Sequence, residues 1–85
     1  MNIDLELYRI FYTVAKYENI SKATKELYVS QPAVTQRIAN LEKQLNVTLF
    51  NRKPGGMTLT KEGRILFNCI KDSIETMNKV ETRFS

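Results

Sequence analysis

Side chains that both donate and accept hydrogen bonds gather in one run, Ser30-Gln31-Pro32-Ala33-Val34-Thr35-Gln36, with Asn40 following at helical spacing. Val34, Ile38, Leu41 and Leu45 recur at four, three and four residues, which puts them on one buried line of a helix. At about 100° per residue, Pro32, Gln36, Ala39, Asn40 and Lys43 fall opposite that line, with Gln31 and Thr35 on the flank near the front end. The arc carries no acid and little grease. Its amides and hydroxyls match the donor and acceptor patterns of base edges in a DNA groove. A solvated helix that happens to use Gln and Asn would present the same arc.

Charge placement bears on that choice. Between Ser30 and Arg64 six basic residues (Arg37, Lys43, Arg52, Lys53, Lys61 and Arg64) stand against two acids, Glu42 and Glu62. The seven bases and seven acids elsewhere cancel, so the whole formal net charge of +4 lies in this central segment. An anion-binding surface requires such segregation, although an ordinary solvated surface is compatible with it.

Other chemistry is excluded by inventory. The chain has no histidine and a single cysteine, Cys69. It can form no internal disulfide, no histidine zinc site and no Ser-His or Cys-His nucleophile pair. No Asp/Glu pair sits in an apolar setting, so neither an enzyme nor a metal or cofactor protein is expected. The 85 residues allow one domain with a modest core, burying roughly 60% of the unfolded surface. Apolar residues at 42% and charged residues at 26% are ordinary globular composition. No apolar run approaches the roughly 18 residues of a bilayer span, and no signal pattern opens the chain. A cytoplasmic protein without a membrane partner is the expectation.

The elements that must hold the polar arc can be read in order. Residues 4–17 predict a first helix with two adjoining apolar stripes: Leu7, Ile10, Phe11 and Val14, then Leu5, Tyr8, Tyr12 and Ala15. One core contact needs a stripe about 100° wide, so the second stripe predicts a further partner. A short second helix follows, with Ser21 as its expected N-cap, Ala23 and Leu27 inward, and Lys22 and Lys25 elsewhere. Tyr28-Val29-Ser30 makes a tight turn. Ser30 caps the third helix, and Pro32 falls in its first turn, where a missing N–H costs little. VTLFNR, KPGG and MTLT read as strand, turn and strand, a hairpin with Arg52 and Lys53 near its tip. Thr60 caps a last helix with Glu62 in its first turn.

Along that last helix Leu66, Ile70, Ser73, Met77, Val80 and Phe84 recur at four and three residues, with Ile74 widening the line. This is a heptad seam. Roughly 36 Å of helix should overhang so small a domain, and the seam predicts pairing with a second copy. Cys69 borders it and reads as a small buried apolar residue.

Helix, short helix, turn, helix, basic hairpin and long helix make a mainly α winged helix-turn-helix plan. Residues 1–60 form the DNA-binding unit, with the helix-turn-helix at about 20–39 and the wing at about 47–60; residues 61–85 form a linker and dimerisation helix. Ser21-x-Ala23-x-x-x-Leu27-x-Val29-Ser30-Gln31-Pro32-Ala33-Val34, Ile38-x-x-Leu41-Glu42-x-x-Leu45, Leu49-Phe50-x-Arg52 and Leu59-Thr60-x-x-Gly63 resemble the N-terminal domain of LysR-type transcriptional regulators across essentially the whole chain. Asn46 stands where that family usually ends the third helix with glycine, and the wing tip is Gly55-Gly56.

The resemblance implies a dimeric bacterial transcription factor that binds double-stranded operator DNA with two-fold symmetric half-sites. Base reading then falls to Gln31, Pro32, Thr35 and Gln36, with Ser30 and Arg52 supporting them at the backbone. Ser21, Lys22, Asn40 and Lys53 complete the expected DNA surface, and Leu66, Ile70, Ser73, Ile74, Met77, Val80 and Phe84 the dimer surface. An effector ligand would be sensed only by a C-terminal domain that this chain lacks, which points to a truncated protein. Two alternatives remain open: a helical, coiled-coil interaction module without DNA binding, and a winged helix of another bacterial regulator family.

Overall fold

The computed structural model describes residues 1–54 and 56–85. The chain folds as α1 (Leu5–Tyr17), α2 (Ile20–Leu27), α3 (Gln31–Leu45), β1 (Phe50–Lys53), β2 (Gly56–Leu59) and α4 (Lys61–Phe84). The winged helix-turn-helix plan is therefore present. Gly55 of the expected wing tip lies outside the described residues.

Each helix begins on a side chain that accepts a free N–H of its first turn. Asp4 takes Glu6 N–H (2.9 Å), Asn19 takes Lys22 N–H (2.9 Å), Ser30 takes Ala33 N–H (3.2 Å) and Thr60 takes Gly63 N–H (3.0 Å). The cap of α2 corrects the sequence expectation. Asn19 holds that place, and Ser21 sits inside the helix with its hydroxyl free to act elsewhere. Asn46 ends α3 in the left-handed conformation at φ 57°, as expected of an asparagine standing in for glycine.

α1 is the hub. Ile10, Phe11 and Val14 are fully buried and meet Ala23 of α2, Val34, Ile38 and Leu41 of α3, and Leu49, Phe50 and Met57 of the wing. The Phe11 and Phe50 rings lie 5.3 Å apart, tilted by 48°, a favourable aromatic arrangement. The hairpin pairs Phe50 with Leu59 and Lys53 with Gly56, antiparallel. It is shorter than the sequence suggested, because Val47–Leu49 leave no ladder. Instead the Glu42 carboxylate accepts the Leu49 N–H at 2.6 Å and the Phe50 N–H at 3.4 Å, tying the end of α3 to the start of the wing.

α4 corrects the expectation of a long overhang. It lies along α1, and the domain measures 37 Å in its longest direction, about the length of that helix. Tyr12 stacks on Phe67 (5.6 Å, 4°) and donates to Glu75 at 2.8 Å, while Arg9 reaches Asn78 and Glu81. Tyr12 of the second stripe of α1 is thus covered by the chain's own α4, while Leu5 stays exposed. Burial, and next the Glu75 bond, push the Tyr12 phenol up to about 12. Ile74 is 1% exposed on the face turned to α1, so it drops out of the seam available to another copy. Cys69, expected inside, is exposed.

Candidate nucleic-acid interface

Capping and burial set the direction of the α3 front. Val34, Ile38 and Leu41 are buried, which turns Gln31, Pro32, Gln36, Ala39 and Asn40 outward, with Thr35 half-buried at the flank. The Ser30 hydroxyl occupies the Ala33 N–H, and Pro32 has none. The remaining N–H groups and the helix dipole favour an anion beside this end.

Two of the expected groups are drawn together from different elements. Gln31 Nε2 donates to Ser21 Oγ at 2.8 Å, bridging the turn between α2 and α3. Ser21 also lines a concavity with Asn19, Ile20, Arg52, Lys53, Gly56 and Met57, where the wing folds against the start of α2. The Met57 N–H donates to the Glu18 carbonyl at 3.4 Å and fixes that approach. Lys22, next to Ser21 on α2, is exposed. Ser21 thus touches Gln31 at the front of α3 and shares the concavity with Arg52 and Lys53 of the wing.

Asn40 lies one helical turn beyond Gln36, exposed like it. It lies nine residues beyond Gln31, about 14 Å along the helix axis, accepts from Gln44 Nε2 at 3.0 Å, and shares a hollow with Gln36, Arg37, Ala39 and Lys43. Helix-turn-helix domains contact bases mostly from the front of the second helix.

Electrostatics agree with an anionic partner. Among the described residues the ion pairs are Arg9–Glu81 (3.0 Å) and Lys16–Glu26 (4.0 Å), both away from the centre of the sequence. None of the six bases between Ser30 and Arg64 is neutralised in this way. Among the described residues there is no cluster of three or more metal-ligating side chains, and no helix is long and apolar enough to cross a membrane.

Sequence reading missed the Ser21–Gln31 bond, the Asn19 cap and the anchoring carboxylate of Glu42. The Asn19 signal was available, since Asn caps as well as Ser and precedes the apolar Ile20. The other two join residues ten and seven apart through a turn, and no periodicity reports such contacts.

A turn-linked helix pair, a basic hairpin and an amide-lined outer helix end define the class: a winged helix-turn-helix DNA-binding domain. Residues 5–64 match the family described as the bacterial regulatory helix-turn-helix protein, lysR family. The chain belongs to that family. It is similar to the carbapenem-hydrolyzing beta-lactamase transcriptional activator of Enterobacter cloacae, with 40% identity across 96% of this chain and 28% of that protein. It is also similar to the HTH-type transcriptional regulator CitR of Bacillus subtilis, with 45% identity across 73% of this chain and 21% of that one. The CbnR DNA-binding domain in complex with DNA superposes with a TM-score of 0.81 at 30% identity, covering 95% of this chain and 93% of that one. The chain spans about 28% of the length of the first curated relatives it matches. These relatives are regulators, and the domain is a DNA-binding unit rather than an enzyme.

Proposed function

We propose that the domain binds double-stranded DNA sequence-specifically as a homodimer, with the front of α3 in the major groove and the wing on the backbone or adjacent minor groove. The observation that supports this reading is the outward front of α3, whose Gln31 amide bonds Ser21 at the edge of the concavity that holds Arg52 and Lys53. Gln31, Pro32, Thr35 and Gln36 contact base edges. Ser30, Lys22, Arg52 and Lys53 contact phosphates and set the register.

Pairing through α4 supplies the symmetry. With Ile74 and Phe67 engaged within the domain and Leu66 and Ile70 packed in part against its core, a second face remains: Met77 half-buried, Ser73, Val80 and Phe84 exposed. Val80 is 51% and Phe84 84% exposed, apolar area that a second α4 would remove from water. The full-length regulator acts in the cytoplasm and senses its effector through a further C-terminal domain.

Gln31→Ala and Arg52→Ala separate reading from positioning. Gln31→Ala lowers the discrimination between a selected duplex and random DNA by about 1–3 kcal/mol. Arg52→Ala weakens both duplexes alike and reduces the salt slope by about one unit. Titrations at several salt concentrations check both. Unchanged binding in both variants contradicts the assignment of roles.

A further inference from the structure

We infer that Ser21 is a positioning residue that selects the base read by Gln31. The inference rests on the proposed reading role of Gln31 and names its chemistry. Gln31 is exposed at the first position of α3, where a side chain of this length would otherwise sample many rotamers. Here it is held by a bond from its Nε2 to Ser21 Oγ across the helix-turn-helix turn, at 2.8 Å. Ser21 is free for this duty because Asn19, rather than Ser21, caps α2.

The orientation has a consequence for recognition. A glutamine amide offers two N–H donors and one carbonyl acceptor. One N–H is spent on Ser21, so the carbonyl and the remaining N–H form the free edge. In the major groove that acceptor–donor edge complements adenine, whose N6 amino group donates and whose N7 accepts. Guanine offers two acceptors there and would face the carbonyl with another acceptor. With the Ser21 hydroxyl accepting from Nε2, as it does here, the amide presents that edge and the Gln31 position is adenine-selective. The bond also removes rotamer freedom before DNA arrives, so less is lost on binding.

The test uses the 85-residue chain and the strongest duplex that it enriches from a random library. Each half-site position is replaced in turn by the other three base pairs, and affinities are measured for the parent, Ser21→Ala, Ser21→Thr, Gln31→Ala and the Ser21→Ala/Gln31→Ala pair. The parent prefers adenine at one position, and Gln31→Ala abolishes that preference. Ser21→Ala reduces it about threefold to tenfold at the same position, leaving the other positions as in the parent. Ser21→Thr keeps the hydroxyl and retains the preference, and the double variant is no flatter than Gln31→Ala. A flattened Gln31→Ala profile beside an unchanged Ser21→Ala profile overturns the positioning role while leaving base reading by Gln31 intact. Uniform weakening of all duplexes by Ser21→Ala makes Ser21 a backbone contact and overturns the role equally. A guanine or thymine preference at the Gln31-dependent position overturns the amide orientation. An unchanged Gln31→Ala profile removes the underlying reading itself.

Discussion

Tyr12 shows how one side chain can serve two faces of a helix. Its ring stacks on Phe67 while its hydroxyl donates to Glu75, so a residue expected to meet another molecule instead ties α1 to α4. Burial and the Glu75 carboxylate both favour the neutral phenol, and raise it from 10.0 to about 12. A raised folded value means that its contribution to stability is complete below pH 10 and is lost as pH rises through 12. Denaturant unfolding of the parent and Tyr12→Phe across that window checks this. The parent's advantage over the variant shrinks between pH 10 and 12, and an advantage independent of pH there contradicts the account. At this scale the sequence was legible where one residue type has one local job: Ser30 and Thr60 as caps, and Asn46 in the left-handed region. It was not legible where a side chain had two possible partners, as with Ser21.

Among elements, α4 and the wing show why boundaries were harder to read than types. All four helices and the hairpin were visible from apolar spacing, caps and turn residues. The hairpin was overestimated because Val47 and Thr48 are residue types enriched in strands, yet Glu42 takes N–H groups that a ladder would use. The wing then joins α4 closely. Thr60 donates to the Thr48 carbonyl at 2.6 Å, and its own N–H reaches the Leu49 carbonyl at 3.0 Å. A Cβ at Gly63 would fall well inside contact distance of that same Leu49 carbonyl oxygen and 3.0 Å from Leu59 Cδ2. Backbone cannot move aside as a side-chain tip can. Gly63→Ala is therefore expected to lower stability by about 1–3 kcal/mol, despite the better helix propensity of alanine. Urea unfolding measures it, and an unchanged or raised midpoint would show that the joint is looser than described.

For the molecule as a whole, the division of α4 into two faces links the domain to its proposed assembly. The heptad spacing revealed an apolar line, but not that Ile74 would turn inward while Met77 stayed half-buried and Val80 and Phe84 exposed. Spacing fixes the angle between residues and leaves open which neighbour occupies each side. An apolar groove lined by Leu45, Val47, Ile65, Leu66 and Cys69 continues the accessible face, which also explains why an exposed cysteine sits beside leucines. Met77→Glu/Val80→Glu places like charges on both copies of that face. Sedimentation should show a monomer that keeps the parent's helical circular dichroism, whereas a persistent dimer would move the interface elsewhere.

DNA selection joins these scales most directly. The chain is equilibrated with random duplexes in dilute salt, and the bound fraction is sequenced over successive rounds. Enrichment of a two-fold symmetric site, its half-sites about one helical turn or a multiple apart, is the result expected if paired α3 helices read bases. Recovery of unselected sequence, or of a single asymmetric site, would contradict base reading by a symmetric pair.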